Sequence, residues 1–187
     1  MKSKFVIFAV AAALSDLAGC ATSSQHAVKL MEPVKANNLG SLDFSFILVT
    51  TTNPSPDLQP ETRLLQDSIL SGLRETGAYA RVEDSNTNAV SGGIKIVASI
   101  REITKVSASS RQWYGGLAGK AEVVVRVELS DLLTGKPVEL FEVEGKTGAS
   151  ARAGTTDEAI EQAAAKVVAE VANLDSQAAR QLIQQRQ

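Results

Sequence analysis

Residues 121–131 read AEVVVRVELSD, with an apolar side chain at every second position from Ala121 to Leu129 and mostly polar side chains between them. A period of two is typical of a β-strand that buries one face. That face would carry Ala121, Val123, Val125, Val127 and Leu129. The next residues, LTGK at 133–136, predict a tight turn with Gly135 at positive φ, and residues 138–145 predict the returning strand. The result is an antiparallel hairpin whose apolar face needs a covering layer.

The same alternation predicts three strands upstream of this hairpin. They cover residues 42–50, 79–82 and 93–106. In the last of them the phase slips at Glu102, as it does at a β-bulge. Residues 61–76 repeat leucine or isoleucine every four positions and end at Gly77, which predicts an amphipathic helix with a left-handed C-terminal cap.

The C-terminal part of the chain predicts the covering helix. Thr155, followed by Glu158 three residues later, forms a capping-box pattern. An apolar stripe with helical spacing follows, at Ile160, Ala163, Ala164, Val167, Val171 and Leu174. The polar run 173–176 predicts a break and a second helical piece over 177–185. We therefore predict a two-layer α+β sandwich, in the order βαββββα, with a mostly antiparallel sheet and the C-terminal helix packed on one face.

The N-terminus carries the pattern of an export signal. Two lysines precede an apolar stretch over 5–14, which is too short to remain as a membrane-spanning helix. The stretch leads into Leu17-Ala18-Gly19-Cys20, which resembles the lipobox of bacterial lipoproteins. The resemblance implies cleavage after Gly19 and acyl chains on Cys20, palmitate among them, that anchor the chain stably in a membrane. The alternative for Cys20 is a small buried side chain.

These features divide the chain into three parts. Residues 1–19 are the predicted signal peptide, 20–41 the lipidated cysteine with a flexible polar tether, and 42–187 a single α+β domain with a C-terminal helical tail. The residue after the lipidated cysteine is Ala21, whereas an aspartate there favours inner-membrane retention. We therefore expect a lipid-anchored protein on the periplasmic face of the outer membrane.

The composition argues against several classes of function. The net charge is −2 and no basic run occurs, so nucleic-acid binding is not expected. The only cysteine is the proposed lipid anchor, which leaves no thiol for a disulfide or a metal site. The only histidine, His26, lies in the predicted tether, so histidine-dependent catalysis is not expected. We predict no enzyme, metal or cofactor; a hydrolase that uses paired carboxylates is a lesser alternative.

The connection between the two long strands is the candidate binding site. It reads RQWYGGLAGK over 111–120 and contains the only tryptophan. Arg111, Trp113 and Tyr114 are of the residue types that dominate interface hot spots. We predict that they form a partner-binding or membrane-touching tip. The alternative is that Trp113 folds back over the core and the glycines only shape turns.

This connection also carries a family resemblance. The pattern aromatic-Gly-Gly-x-x-Gly-Lys-Ala, followed by an alternating strand and by Asp131-x-x-Thr134-Gly135-Lys136, resembles a family of bacterial envelope lipoproteins with a domain of unknown function. More distantly, it resembles the periplasmic domains of the curli secretion channel lipoprotein and the penicillin-binding-protein activator lipoprotein. Over residues 42–172 the resemblance implies an α/β sandwich and a role in assembling or activating envelope machinery, and it carries over no catalytic residue.

Two functions follow from these observations. The leading hypothesis is a non-enzymatic lipoprotein that binds an envelope protein through the Trp113 loop or a sheet edge. The alternative is a homo-oligomeric component of an envelope export or assembly system, in which loops and edge strands of several copies meet. No long apolar hairpin is predicted beyond the strands named above, which argues against a secretion pore.

Overall fold

A computed structural model describes residues 28–32, 36–52, 55–84, 92–106, 120–147 and 155–187. The strands are β1 (Val28–Glu32), β2 (Phe46–Thr52), β3 (Arg81–Glu83), β4 (Ile94–Thr104), β5 (Glu122–Asp131) and β6 (Pro137–Lys146). The α-helices are α1 (Gln59–Glu75) and α2 (Thr156–Gln185), and short 3-10 helices cover Ala36–Ser41 and Pro56–Leu58.

All six strands belong to one sheet, in the order β1-β6-β5-β4-β2-β3. Its pairs are antiparallel from β1 through β6 and β5 to β4, whereas β2 runs parallel to both β3 and β4. The parallel pairs arise because α1 carries the chain back along the sheet between β2 and β3. The predicted α+β sandwich with a mostly antiparallel sheet is therefore confirmed.

The local features of the long strands agree with the sequence patterns. The register between β4 and β5 shifts between Ile100 and Glu102, where the alternation slipped. Gly135 adopts a φ of 67° in the turn between β5 and β6, and Gly77 adopts 62° after α1. The Asp131 carboxylate accepts from the backbone N–H groups of Leu133 and Thr134, at 2.8 Å each, which fixes the turn.

Helix α2 is continuous, so the predicted break at 173–176 is wrong. The Thr155 side chain accepts a hydrogen bond from the Glu158 backbone N–H at 3.3 Å, as the capping pattern predicted. Within the expected break, Leu174 is buried and the Ser176 hydroxyl donates to the Ala172 carbonyl at 2.9 Å. Packing and this local bond hold polar residues in the helix despite their weak propensity.

The predicted flexible tether is wrong over part of its length. Residues 28–32 form β1, which pairs with the edge of β6, and the 3-10 helix at Ala36–Ser41 places Leu39 in the core with 3% of its surface exposed. Backbone pairing with an edge strand needs no particular side chains, so the composition gave little sign of it. Residues 20–27 and 33–35 lie outside the described part.

Both helices cover the same face of the sheet and begin at the same end of it. The Glu61 carboxylate, in the first turn of α1, lies 2.6 Å from Lys105 Nζ, just after β4. The Thr156 backbone N–H, at the start of α2, donates to the Val106 carbonyl at 3.2 Å. The helices therefore run parallel. They approach closely at Gly72 of α1, where a Cβ would lie 2.8 Å from the Val168 side chain of α2. Core residues they contribute include Leu65, Ile69, Leu73, Ile160, Val167 and Val171.

Gly145 sets how closely α2 approaches β6. A Cβ at this position would lie 1.8 Å from the Ala159 carbonyl oxygen and 3.0 Å from the Ala163 nitrogen, both backbone atoms of α2. Backbone atoms of a packed helix cannot move aside as a flexible side chain can. The alanines of α2 and the glycine of β6 thus together allow the helix and the strand to pack closely.

We expect Gly145→Ala to lower the free energy of unfolding by about 3 kcal/mol or more, the upper range for an overpacked core, measured by urea denaturation. The control is Gly135→Ala, where a Cβ meets nothing within 4 Å and only the positive φ opposes it. The free energy of unfolding of that variant should be lower than that of the parent by about 1–2 kcal/mol. Equal losses for the two variants would contradict the close approach at Gly145.

Candidate functional site

The sequence-predicted site residues lie outside the described part of the chain. This holds for the lipobox, Leu17, Ala18, Gly19 and Cys20, and for the loop residues Arg111, Trp113 and Tyr114. The structure does describe the residues from which the loop at 107–119 leaves and to which it returns, as well as the sheet surface beside them.

The base of this loop is tied to its surroundings on both sides. On the β4 side, the Val106 backbone N–H donates to the Thr156 hydroxyl at 2.8 Å, and Val106 is buried. On the β5 side, the Ala121 carbonyl accepts from the Thr147 backbone N–H at 3.0 Å, and Ala121 is buried as well. The two residues that flank segment 107–119 are therefore tied to α2 and to the end of β6.

The face of the sheet opposite the helices is not covered by any described helix or strand. We call it the open face. The residues that define it on β4, β5 and β6 are Lys95, Val97, Ser99, Val124, Arg126, Glu128, Leu140, Glu142 and Glu144. Most are half-buried by their neighbours, whereas alternate residues of the same strands are fully buried under the helices. The surface mixes valine and leucine with both signs of charge, a composition that suits a protein partner as well as water.

Ion pairs organise the charges of the open face. Arg126 Nε lies 3.3 Å from Glu142 Oε1 on the neighbouring strand. Lys146 Nζ, at the end of β6, lies 2.5 Å from Glu144 and 3.5 Å from Glu122. The hydrogen bond with Glu122 and the one with Lys146 lower the pKa of the Glu144 carboxyl. Pairs this exposed add little stability.

One carboxylate is buried on the helix-covered side of the sheet. Glu139 of β6 shares a face with Phe141 and Val143, is 5% exposed, and its Oε2 has no hydrogen-bond partner among the described residues. Desolvation, and secondly the charge of Glu170 on α2, raise the pKa of Glu139 to about 7. The sequence signal was available, since a glutamate stands in phase with the apolar residues of β6.

A second pair of polar groups lies further along α2. Burial, and secondly the charge of Asp175, raise the pKa of the Tyr79 phenol to about 12. Burial also raises the pKa of the Asp175 carboxyl. The Tyr79 hydroxyl has no hydrogen-bond partner among the residues that the structure describes. These groups pack the end of α2 against the segment after α1, and they lie in the helical layer rather than in a cleft.

The described surface offers two grooves beside α1. The larger groove has a volume of about 840 Å³ and is lined by residues that include Thr51, Arg63 and Asp84. The smaller, of about 480 Å³, follows the outer side of α1. Glu139 lines neither of them, so the buried acid is not presented to a substrate there. Among the described residues, no three histidine, cysteine, aspartate or glutamate side chains gather where a metal could bind.

Within the described ranges, neither α-helix combines the length and the apolar composition that crossing a bilayer requires.

The domain described above coincides with a stretch of sequence that matches a known family. Residues 34–180 match the family described as a domain of unknown function, DUF4410. The chain belongs to this family. The DUF4410 domain thus spans the 3-10 helix at Ala36–Ser41, the sheet from β2 onwards and most of α2. No curated protein matches the chain. The more distant resemblance to the curli channel and penicillin-binding-protein activator lipoproteins stays a prediction.

Solved structures align with this DUF4410 chain at low sequence identity. The PelC dodecamer from Paraburkholderia phytofirmans aligns with a TM-score of 0.51 and 18% identity, over 77% of this chain and 95% of the PelC chain. A Xanthomonas campestris protein of the DUF330 family aligns with a TM-score of 0.48 and 17% identity, over 72% of this chain and 88% of that one. At such identity, the likeness to PelC shows the fold alone.

The buried acid predicts a pH-dependent stability. Because the folded state raises the pKa of Glu139 from 4.5 to about 7, the unfolded state ionises first and stability falls as the pH rises from 4.5 to 7. Well below pH 4.5, Glu139 is protonated in both the folded and the unfolded state, so its burial does not lower the free energy of unfolding through ionisation. We expect Glu139→Gln to be more stable than the parent by up to about 3 kcal/mol at pH 8 and nearly equal to it at pH 4.

Thermal and urea unfolding between pH 4 and pH 8 would measure this difference. The matched control is Glu142→Gln, which removes a glutamate from the same strand but on the open face, where Arg126 pairs with it. This control should be no more stable than the parent at pH 8. A Glu139→Gln variant that follows the parent at every pH would contradict the burial of an ionisable carboxyl at this position.

Proposed function

We propose that this protein is a lipid-anchored, periplasm-facing component of the cell envelope that acts by binding other proteins and has no catalytic activity of its own. Cys20 would carry the acyl chains, including palmitate, after removal of residues 1–19. The outer membrane is the proposed location, since Ala21 follows the cysteine. No cofactor, metal or nucleic acid enters this function.

The observation that carries the proposal is the open face. An antiparallel sheet that is packed on one side and charged on the other can remain in water, but here partly buried Val97, Val124 and Leu140 lie among the charges. Such a mixed, rigid surface fits a protein partner better than a small molecule, which binds in concave, enclosed sites. The ion pairs across β5 and β6 would supply specificity.

Homo-oligomerisation is the second candidate. Its support is the fold shared with PelC, a protein whose solved structure is a dodecamer. In this alternative the partner of each copy is another copy, and the assembly serves envelope export or assembly. Both signs of charge on the open face would allow copies to meet there, because the acidic and basic groups of one copy can face those of the next.

We expect Trp113→Ala to weaken capture of the partner by about tenfold, the loss typical of one aromatic hot spot, without changing the melting temperature. Capture is measured in intact cells by photocrosslinking from a reactive residue placed at Val124 on the open face. The control is Leu133→Ala, which removes an exposed apolar side chain from the turn between β5 and β6. Unchanged capture by Trp113→Ala would remove the loop from the binding site.

The solution mass separates the two candidates. The measurement is light scattering, with correction for detergent, on the lipidated protein at micromolar concentration. For the homo-oligomer, we expect a protein mass equal to that of two or more chains. A single-chain mass under these conditions would contradict the homo-oligomer and leave a different envelope protein as the partner.

A further inference from the structure

We infer that one particular end of the sheet faces the bilayer, an inference that rests on the proposed lipid anchor at Cys20. This anchor pole is defined by Lys105 after β4, Lys120 before β5, Lys146 at the end of β6, and the first turns of α1 and α2. The opposite, distal pole is defined by the turn between β5 and β6, with Leu133, and by the end of α2, with Ile183. The partner of the anchor pole is a lipid surface.

The direction of β1 assigns the anchor pole. Val28, its first residue, pairs with Val143 of β6, and β6 continues to Lys146, which pairs with Glu122 at the start of β5. Val28 thus lies about 10 Å, three strand residues, from the end of β6. The chain therefore enters the domain from this end, where β4 also stops and β5 begins.

The length of chain before β1 keeps this end close to the membrane. Cys20 precedes Val28 by eight residues. Eight residues span at most about 28 Å when fully extended. For comparison, a coil of eight residues has an r.m.s. end-to-end length of about 16 Å. Acyl chains on Cys20 would therefore hold Val28, and with it the anchor pole, near the lipid headgroups.

The distal pole lies well beyond that reach. From Val143 to Pro137, β6 runs about 20 Å away from the point where the chain enters. Helix α2 passes Glu139 near Glu170 and continues for about 20 Å to Ile183. The exposed apolar side chains at this pole, Leu133 at 69% and Ile183 at 60%, thus point away from the bilayer that holds the anchor.

Electrostatic attraction is not required for this orientation. At the anchor pole, Lys105 is paired with Glu61, and Lys146 is paired with Glu144 and Glu122. Surface charges already paired within the protein contribute little attraction to anionic lipids. The orientation should therefore form on a neutral bilayer, because the tether alone imposes it. The loop at 107–119 leaves the sheet at this same pole, between Val106 and Lys120.

The experiment is fluorescence quenching on the lipidated full chain in phosphatidylcholine vesicles. Because Cys20 is the only cysteine and acylation consumes its thiol, a newly introduced cysteine can be labelled alone. Lys120→Cys and Asp57→Cys place a fluorophore at the anchor pole, and Leu133→Cys and Ile183→Cys place it at the distal pole. All four side chains are exposed, so labelling should leave the fold intact. A nitroxide on the lipid headgroup is the quencher.

We expect quenching at the two anchor-pole labels to exceed that at the two distal labels by about threefold or more, given the short tether. This difference should persist in high salt. Equal quenching at both poles, or stronger quenching at Leu133→Cys and Ile183→Cys, would overturn the orientation.

A separate variant distinguishes failure of the anchor from failure of the orientation. Cys20→Ser should lose vesicle association in flotation, while the four labelled variants retain it. Retained flotation of Cys20→Ser would contradict the lipid anchor and, with it, this inference. Anchored variants with equal quenching would contradict only the orientation, leaving the proposed function in place.

Discussion

The contact between α2 and β6 at Gly145 is the constraint on which the rest of the domain depends. A side chain there would overlap the helix backbone, so the absence of one lets α2 lie flat on the strand. With α2 in this position, Val167 and Val171 are buried in the core. The Thr156 hydroxyl accepts a hydrogen bond from Val106, just after β4. The residue from which segment 107–119 departs, Val106, is therefore held by the packing of α2.

Features that depend on neighbours in the sequence could be predicted, and features that depend on distant partners could not. The alternation of β5, the slip at Glu102 and the turn at Gly135 are local, and the structure has them where the pattern placed them. The parallel position of β2 and the pairing of β1 depend on which strand meets which edge. That choice depends on elements that are far apart in the sequence, which a short-range pattern does not compare.

The candidate site shows the same division in another form. The period-two pattern of β6 places Glu139 on the face that the helices cover. The additional rise in its pKa comes from Glu170 on α2, and the sequence pattern of β6 does not reveal that neighbour. Residue type predicts Trp113 as a binding residue, and a motif predicts Cys20 as the lipid anchor. Both lie outside the described ranges. Membership of the DUF4410 family places the domain without assigning its task, since a fold can carry many functions on its surface.

The parallel direction of α1 and α2 has an electrical consequence. The peptide dipoles of both helices add, so each brings about half a positive charge to the same end of the sheet. Glu61 in the first turn of α1 and Asp157 in that of α2 stand where this partial charge is concentrated. Acidic side chains at that end therefore act first as counter-charges to the helices. The electric field at this end of the protein is correspondingly closer to neutral than its carboxylates alone would make it.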